Sequence, residues 1–348
     1  MTGVPAAEGG TWAGRGSAIM VDVAERAGVS KQTVSRVFND RPNVRPETRQ
    51  KVLAAAAELG YQPNPSARAL TTGRTRILGV ITSDATSYGP AATLQEISRA
   101  ARDSGYFVIA APLRALDRAA VIDAVQQLVS QSVDGIVTIA SQKTVARALA
   151  DASHKVPLVT LDMSFDEFVP VVTVDEEQGA HQAVNHLLHL GHRTVRHVAG
   201  PSESIAAEGR TAGWRAALRA AGAPESRILV GDWSATSGYA LGRELAADPE
   251  VTAVFAANDQ MAMGILRAMH EAGRRVPEDV SVIGSDDIPE ASHMIPPLTT
   301  VRHDFAEIGR RCVALMLDQL ENAPRPWVRS IVQSELVVRG SSGPPPAR

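Results

Sequence analysis

The chain of 348 residues holds a single cysteine, Cys312, few aromatics (4%), and a formal net charge of only −3. One thiol cannot form an intrachain disulfide, so the fold must rest on its core, and a reducing cytoplasm suits it. Cys312 is followed by the apolar run Val-Ala-Leu-Met-Leu, which points to a packed thiol rather than a reactive one. No stretch approaches the ~18–20 continuous apolar residues of a membrane span. Residues 1–18 are rich in Gly and Ala and lack the apolar centre of an export signal, so they are expected to be a disordered tail, as is 340–348. Ser, His and Asp are present without a Gly-x-Ser-x-Gly nucleophile elbow. His181, His186, His189 and His192 have suggestive spacing, but no cysteine or carboxylate completes a metal shell. The sequence thus speaks against an enzyme, a metalloprotein and a membrane protein, and no cofactor is expected.

What is present is unevenly distributed. Residues 19–76 carry ten basic and five acidic side chains, a local balance of +5, which leaves −8 for the rest of the chain. A basic head on an acidic body suits a protein that meets nucleic acid at one end. Within that head, MVDVAERAGVSKQTVSRVF (20–38) reads as two short helices around a glycine corner. Gly28 permits the left-handed turn, Val29 plugs the corner and Ser30 caps the second helix. Lys31 to Phe38 puts Val34 and Val37 inward, leaving Lys31, Gln32, Thr33, Ser35 and Arg36 to reach base edges and phosphates, with Asn39 at the helix end. This is a helix-turn-helix within a DNA-binding domain spanning 19–60. A third helix is expected from Pro46 to Leu59, packing through Leu53, Ala56 and Ala57. Residues 61–75 read as a linker containing a short helix, with Asn64 as its cap and Pro65 in its first turn.

From Arg76 the pattern becomes strand–helix alternation. Expected strands are 77–81, 107–111, 135–139, 157–161 and 171–174, then 195–198, 227–230, 253–256 and 281–284. Continuous β-branched strands separated by helices mean parallel sheets covered on both faces, and two such series mean two lobes. The expected fold is α/β: a small all-α head plus a bilobed domain over 76–339. Ligands bind such sheets beyond the carboxyl ends of the strands, so facing lobes make a cleft. Asp162, Asn258 with Asp259, and Asp286 with Asp287 all follow strands. Arg210 and Trp233 join them. Carboxylates, an amide, an arginine and one flat indole suit a sugar, whose hydroxyls need both donors and acceptors and whose C–H face needs an apolar plane. Asp259 and Asp287 are expected to be plain helix caps, and Trp214 a core residue.

These motifs resemble the LacI/GalR family of bacterial transcription regulators over about residues 20–339. The resemblance implies that Lys31, Gln32 and Arg36 read bases, and that 61–75 is a hinge helix pairing with its twin in the minor groove. Leu70 would be the wedge that kinks the duplex, Ala67 would allow close approach, and Arg68 would lie near phosphate. It implies a periplasmic-binding-protein-like domain crossed three times by the chain, with lobe one at about 77–174 and 304–328 and lobe two at about 175–301 and 331–339. In galactoside-responsive members, positions matching Asp162, Arg210, Trp233, Asn258 and Asp286 hold the sugar, and Ser83 is also kept. Glu208, His303, Ser87 and Tyr88 depart from that pattern around the pocket, and Ser204 stands where purine-responsive members use another side chain. The expected partners are palindromic operator DNA, a sugar or glycoside, and a second copy of the chain. Helix 91–104, with Leu94 and Ile97 exposed, is a candidate homodimer face. A corepressor-type regulator and a free sugar-binding protein are the alternatives.

Overall fold

The computed structural model describes residues 18–39, 42–62, 69, 73–83, 87–139, 142–150, 156–162, 169–322 and 328–347. The chain divides into two units, 1–75 and 76–348.

In the first unit, α1 (Met20–Ala27), α2 (Lys31–Phe38) and α3 (Pro46–Glu58) enclose a small core of Val23, Ala24, Val34, Val37, Val52, Ala55 and Ala56. Gly28 closes α1 at φ 67°, and Ser30 Oγ accepts the Thr33 amide at 3.2 Å, so the corner forms as its residues dictate. The face of α3 differs from the expected one. Val52 and Ala55 point inward with Ala56, whereas Leu53 is 47% exposed. Buried positions at i, i+3 and i+4 select the stripe through Val52, and Leu53 falls one helical step outside it.

The second unit contains two six-stranded sheets. The first holds β1 (Ile77–Thr82), β2 (Phe107–Pro112), β3 (Gly135–Thr138), β4 (Leu158–Leu161), β5 (Val171–Val174) and β11 (Arg329–Val332), ordered β11-β5-β4-β3-β1-β2 and parallel throughout. The second holds β6 (Arg196–Ala199), β7 (Leu229–Val230), β8 (Ala253–Ala256), β9 (Ser281–Asp286), β10 (Thr299–His303) and β12 (Ser334–Val337), ordered β12-β10-β9-β8-β6-β7. Only its edge pair β10–β12 is antiparallel. Apart from those edges, the two lobes repeat one topology.

Around the first sheet lie α4 (Tyr88–Asp103), α5 (Arg118–Ser130), α6 (Lys143–Ala150) and α11 (Phe305–Glu321); around the second lie α7 (Glu176–His189), α8 (Ile205–Ala220), α9 (Ala235–Ala246) and α10 (Asp259–Glu271). The chain passes between sheets after β5, after β10 and between β11 and β12. The third crossing therefore lies at Gln333, inside what was expected to be lobe two, because β11 pairs with β5. Strands β10, β11 and β12 had no expected counterpart: Thr-Thr-Val-Arg-His and Ser-Glu-Leu-Val mix polar residues into short runs.

Two expectations about packing are corrected. Ile97 is fully buried in the first lobe's core, so it offers no exposed flank on α4. Helix α4 packs against α11, which takes that face. Residues 341–343 are docked, not loose: Ser341 is fully buried, its Oγ donates to Val282 O at 2.6 Å and accepts from Thr299 N at 2.8 Å. His192 Nε2 lies 2.9 Å from Gly343 O. Small hydroxyl side chains satisfy the backbone at the starts of β9 and β10, a role that low hydrophobicity does not reveal. Cys312 and Trp214 are core residues as expected, and burial pushes the Cys312 thiol up to about 12. Among the described residues no helix is long and apolar enough to cross a membrane.

Candidate functional site

In the first unit, Lys31, Gln32 and Arg36 are exposed along one face of α2. Their neighbours hold the helix in place: Ser30 Oγ and Thr33 Oγ1 are 2.9 Å apart, and Asn39 Nδ2 donates to Ser35 Oγ at 3.3 Å. Arg49 Nη1 donates to Val37 O at 3.3 Å, tying the end of α2 to α3. Asn64, Ala67, Arg68 and Leu70 lie outside the described residues.

In the second unit, a cavity of about 300 Å³ lies between the lobes, and Ser83, Tyr88, Asp162, Arg210, Trp233, Asn258, Asp286 and His303 all line it. Strand ends position most of them. Asp162 follows β4 at φ 58°, and its Oδ1 accepts from Val174 N at 2.8 Å, at the end of the neighbouring strand. Asp286 ends β9 at φ 111° and Trp233 follows β7 at φ 74°. Left-handed backbone at non-glycine residues costs of order 1–3 kcal/mol each and persists where the surroundings over-determine it, as functional clefts do. The indole of Trp233 lies so close over Gly200 that any Cβ there would collide with the ring. Ser83, just past β1, accepts a hydrogen bond from Gln142 Nε2 at 3.3 Å. Tyr88 and Phe305 meet edge to face at 5.6 Å.

Arg210 organises the second lobe's wall. Its Nε and Nη2 bind both oxygens of Glu176 (2.8 and 3.1 Å), Nη2 also reaches Asp286 Oδ1 at 3.2 Å, and Nη1 donates to Ala257 O. Its guanidinium carbon lies 5.7 Å from the Trp233 ring centre. Burial alone would push Glu176 up, but the charge and hydrogen bonds of Arg210 hold its carboxyl below the usual range. Asp286 goes the other way: burial raises it, Arg210 offsets only part of that, and Glu176 adds repulsion. His303 Nε2 receives Arg210 Nη2 at 3.3 Å. An arginine can only donate, so that nitrogen accepts and the ring proton sits on Nδ1, facing Ser334 Oγ at 3.0 Å. Burial then keeps the imidazole neutral by pushing its pKa down.

Neither Asp259 nor Asp287 is the helix cap that its position after a strand suggests. Asn258 caps α10, its Oδ1 accepting from Met261 N at 3.0 Å while Nδ2 donates to Trp233 O at 3.0 Å. Asp259 is instead fully buried behind the wall, accepting from Thr300 Oγ1 at 2.6 Å and Ile288 N at 2.9 Å. Burial, and then the Asp286 charge, push it up to about 8. Asp287 caps nothing; Arg302 Nε and Arg339 Nη2 each donate to it at 2.6 Å.

Sequence reasoning missed Glu176, although the rule that found Asp162 would have found it: it lies two residues past β5. It also missed the apolar first-lobe wall of Leu116, Ile139, Leu161, Val174, Phe305 and Ile308. At the rim, Gln142 and Ser204 form an antiparallel bridge between lobes, and Lys143 Nζ pairs with Glu208 at 3.0 Å.

Residues 19–64 match the lacI family of bacterial regulatory proteins, and 184–342 a periplasmic binding protein-like domain. The chain is 38% identical to the lactose operon repressor of Escherichia coli K12 over 300 residues, which is 86% of this chain and 83% of that protein. The chain belongs to the LacI family. It is therefore a transcriptional regulator of that family and not an enzyme. Among solved structures, a lac repressor dimer bound to operator and the anti-inducer ONPF superposes with TM-score 0.84 at 35% identity, covering 94% of this chain and 99% of that one. A complex of the regulator CelR with cellobiose superposes with TM-score 0.70 at 33% identity, covering 93% of this chain and 99% of the other.

Proposed function

We propose that this LacI-family protein is a cytoplasmic repressor that binds a palindromic operator as a homodimer and is released by a sugar or glycoside held between its lobes. The observation that carries the effector reading is the convergence of Asp162, Arg210, Trp233, Asn258, Asp286 and His303, from six separated stretches of chain, on one cavity. Its two walls suit the two faces of a pyranose, acceptors and donors against hydroxyls and the Trp233 indole against C–H groups. A volume of about 300 Å³ sits at the small end of ligand pockets, appropriate to a mono- or disaccharide. On DNA, Lys31, Gln32 and Arg36 read base edges in the major groove, with Ser30, Thr33, Ser35 and Asn39 supporting phosphate contacts. Asn64, Ala67, Arg68 and Leu70 take the hinge role, with Leu70 as the wedge. Sugar closure between lobes shifts the hinge spacing and weakens operator binding by a coupling of ~1–3 kcal/mol, and DNA weakens sugar binding by the same factor.

The test is fluorescence anisotropy of the full-length protein on DNA from upstream of its own and neighbouring genes, repeated with galactosides, glucosides and cellobiose. Salt-sensitive binding released by one saccharide is the expected result. Binding strengthened by the ligand would reverse the switch to corepression, and operator affinity unaffected by Leu70→Ala would remove the wedge.

A further inference from the structure

Four carboxylates line the cavity, Asp162, Glu176, Glu203 and Asp286; among the described residues, Arg210 is the one Lys or Arg that lines it. A lone buried arginine in a ligand cleft is ordinarily a receptor for phosphate or carboxylate, through the fork of its five N–H groups. Here four of those five groups are already taken. Nε and Nη2 grip Glu176, Nη2 is shared with Asp286 and His303, and Nη1 holds the Ala257 carbonyl. The side chains of Arg210, Glu176 and Asp286 are only 7%, 11% and 9% exposed, so water does little to screen this set. His303 supplies no second cation, because its Nε2 must accept from Arg210 and its other ring nitrogen faces a serine hydroxyl. Lys143 at the rim is paired with Glu208 at 3.0 Å.

We propose that Glu176 is a specificity-determining residue: by holding Arg210 in an internal, bidentate ion pair, it makes the cleft select uncharged or amine-bearing saccharides and reject phosphorylated or carboxylated ones. The inference deepens the sugar-effector reading and rests on it. Arg210 turns toward ligand hydroxyls only the one Nη1–H that its internal partners leave, and the surplus negative charge repels any anion brought near Asp286. Neutral hydroxyls meet carboxylate acceptors without penalty, and an ammonium group is attracted to them.

Calorimetric titration of the full-length protein with methyl galactoside, galactosamine, galacturonate and galactose 6-phosphate tests this, together with the matching glucose series. The expected result is that each anionic sugar binds at least about tenfold more weakly than its neutral counterpart, with the amine at least equal to the neutral sugar. In Glu176→Gln the ratio of anionic to neutral affinity should rise by about tenfold, while Glu176→Asp, which keeps the charge, should retain the discrimination. Equal affinities for neutral and anionic sugars in the unsubstituted protein, or an unchanged ratio in Glu176→Gln, would overturn the proposal. Inorganic phosphate separates this from the sugar reading. If no saccharide binds at all, that reading fails, yet phosphate should still raise the melting temperature of Glu176→Gln more than that of the parent. Equal shifts would overturn the role of Glu176. Should Glu176→Gln fail to fold, the affinity ratio in the unsubstituted protein decides.

Discussion

The two lobes share one strand order, yet their faces toward the cleft have opposite chemistry. The first lobe presents Leu116, Ile139, Leu161, Phe305 and Ile308, interspersed with the polar Ser83, Ser87, Thr93, Gln142 and Asp162, whose only charge is one carboxylate. The second presents a connected set in which Arg210, Glu176, Asp286 and His303 touch one another, with Trp233 stacked beside them. Topology places strand ends at a cleft, and says nothing about what those ends carry. The difference also divides the energetics. The apolar wall is continuous with the first lobe's core, so it stabilises by burial. The polar wall is a desolvated ion network, whose parts hold only while all partners remain.

Removing the hub of the polar wall should produce the largest effect. Arg210→Met leaves Glu176 and Asp286 buried without their cation, and a loss of about 3–5 kcal/mol is expected from breaking such a pair. Urea unfolding of the second unit, in parallel with sugar titration, measures both consequences. A loss under about 1 kcal/mol would show that the network is replaceable packing, no different in kind from the opposite wall.

Acid–base titration sharpens the contrast at the next level. Asp259 sits behind the polar wall with its carboxyl pushed up to about 8 by burial and by Asp286. In the unfolded chain an aspartate titrates near 3.9, so between these values the folded state holds a proton that the unfolded state has released. Folding stability from this group is therefore fully present below about pH 4 and is lost as pH rises toward 8, with a slope approaching 1.4 kcal/mol per pH unit. Asp259→Asn should flatten the stability profile across that window. A slope unchanged by this substitution would mean that Asp259 is ionised in its pocket.

The smallest effect is expected where the walls meet. Lys143 and Glu208 are 44% and 61% exposed, so their pairing across the rim carries at most about 1 kcal/mol and weakens with salt. Lys143→Met should shift sugar affinity by less than about fivefold, and the shift should vanish at high ionic strength. A larger, salt-resistant change would make the rim contact a controlling element of closure.

How much of this was legible in the residues varies with the range of the interactions. The helix-turn-helix is local: Gly28, Ser30 and the valine spacing act on neighbours within four residues, and each occupies the place its chemistry demands. Strand ends were also readable, because β-branched runs stop where polar residues begin, and that rule found Asp162, Asn258 and Asp286 together. It could not distinguish the members of the Asn258–Asp259 pair. Both are good caps, and the choice depends on Thr300 and Ile288, which lie 41 and 29 residues from Asp259. The same holds for Ile97, whose exposure on α4 was decided by the later helix α11 packing over it.

By itself, then, the sequence determined the head, the two-lobed α/β architecture and the polar residues at most of the strand ends facing the cleft, since periodicity, caps and strand ends are short-range properties of the chain. Tertiary structure alone decided that Glu176 occupies Arg210, that His303 carries its proton on Nδ1, and that Asp259 lies buried behind the wall. Those outcomes depend on which charges meet and how far water is excluded from them. Such charges come from strands and helices brought together only by folding.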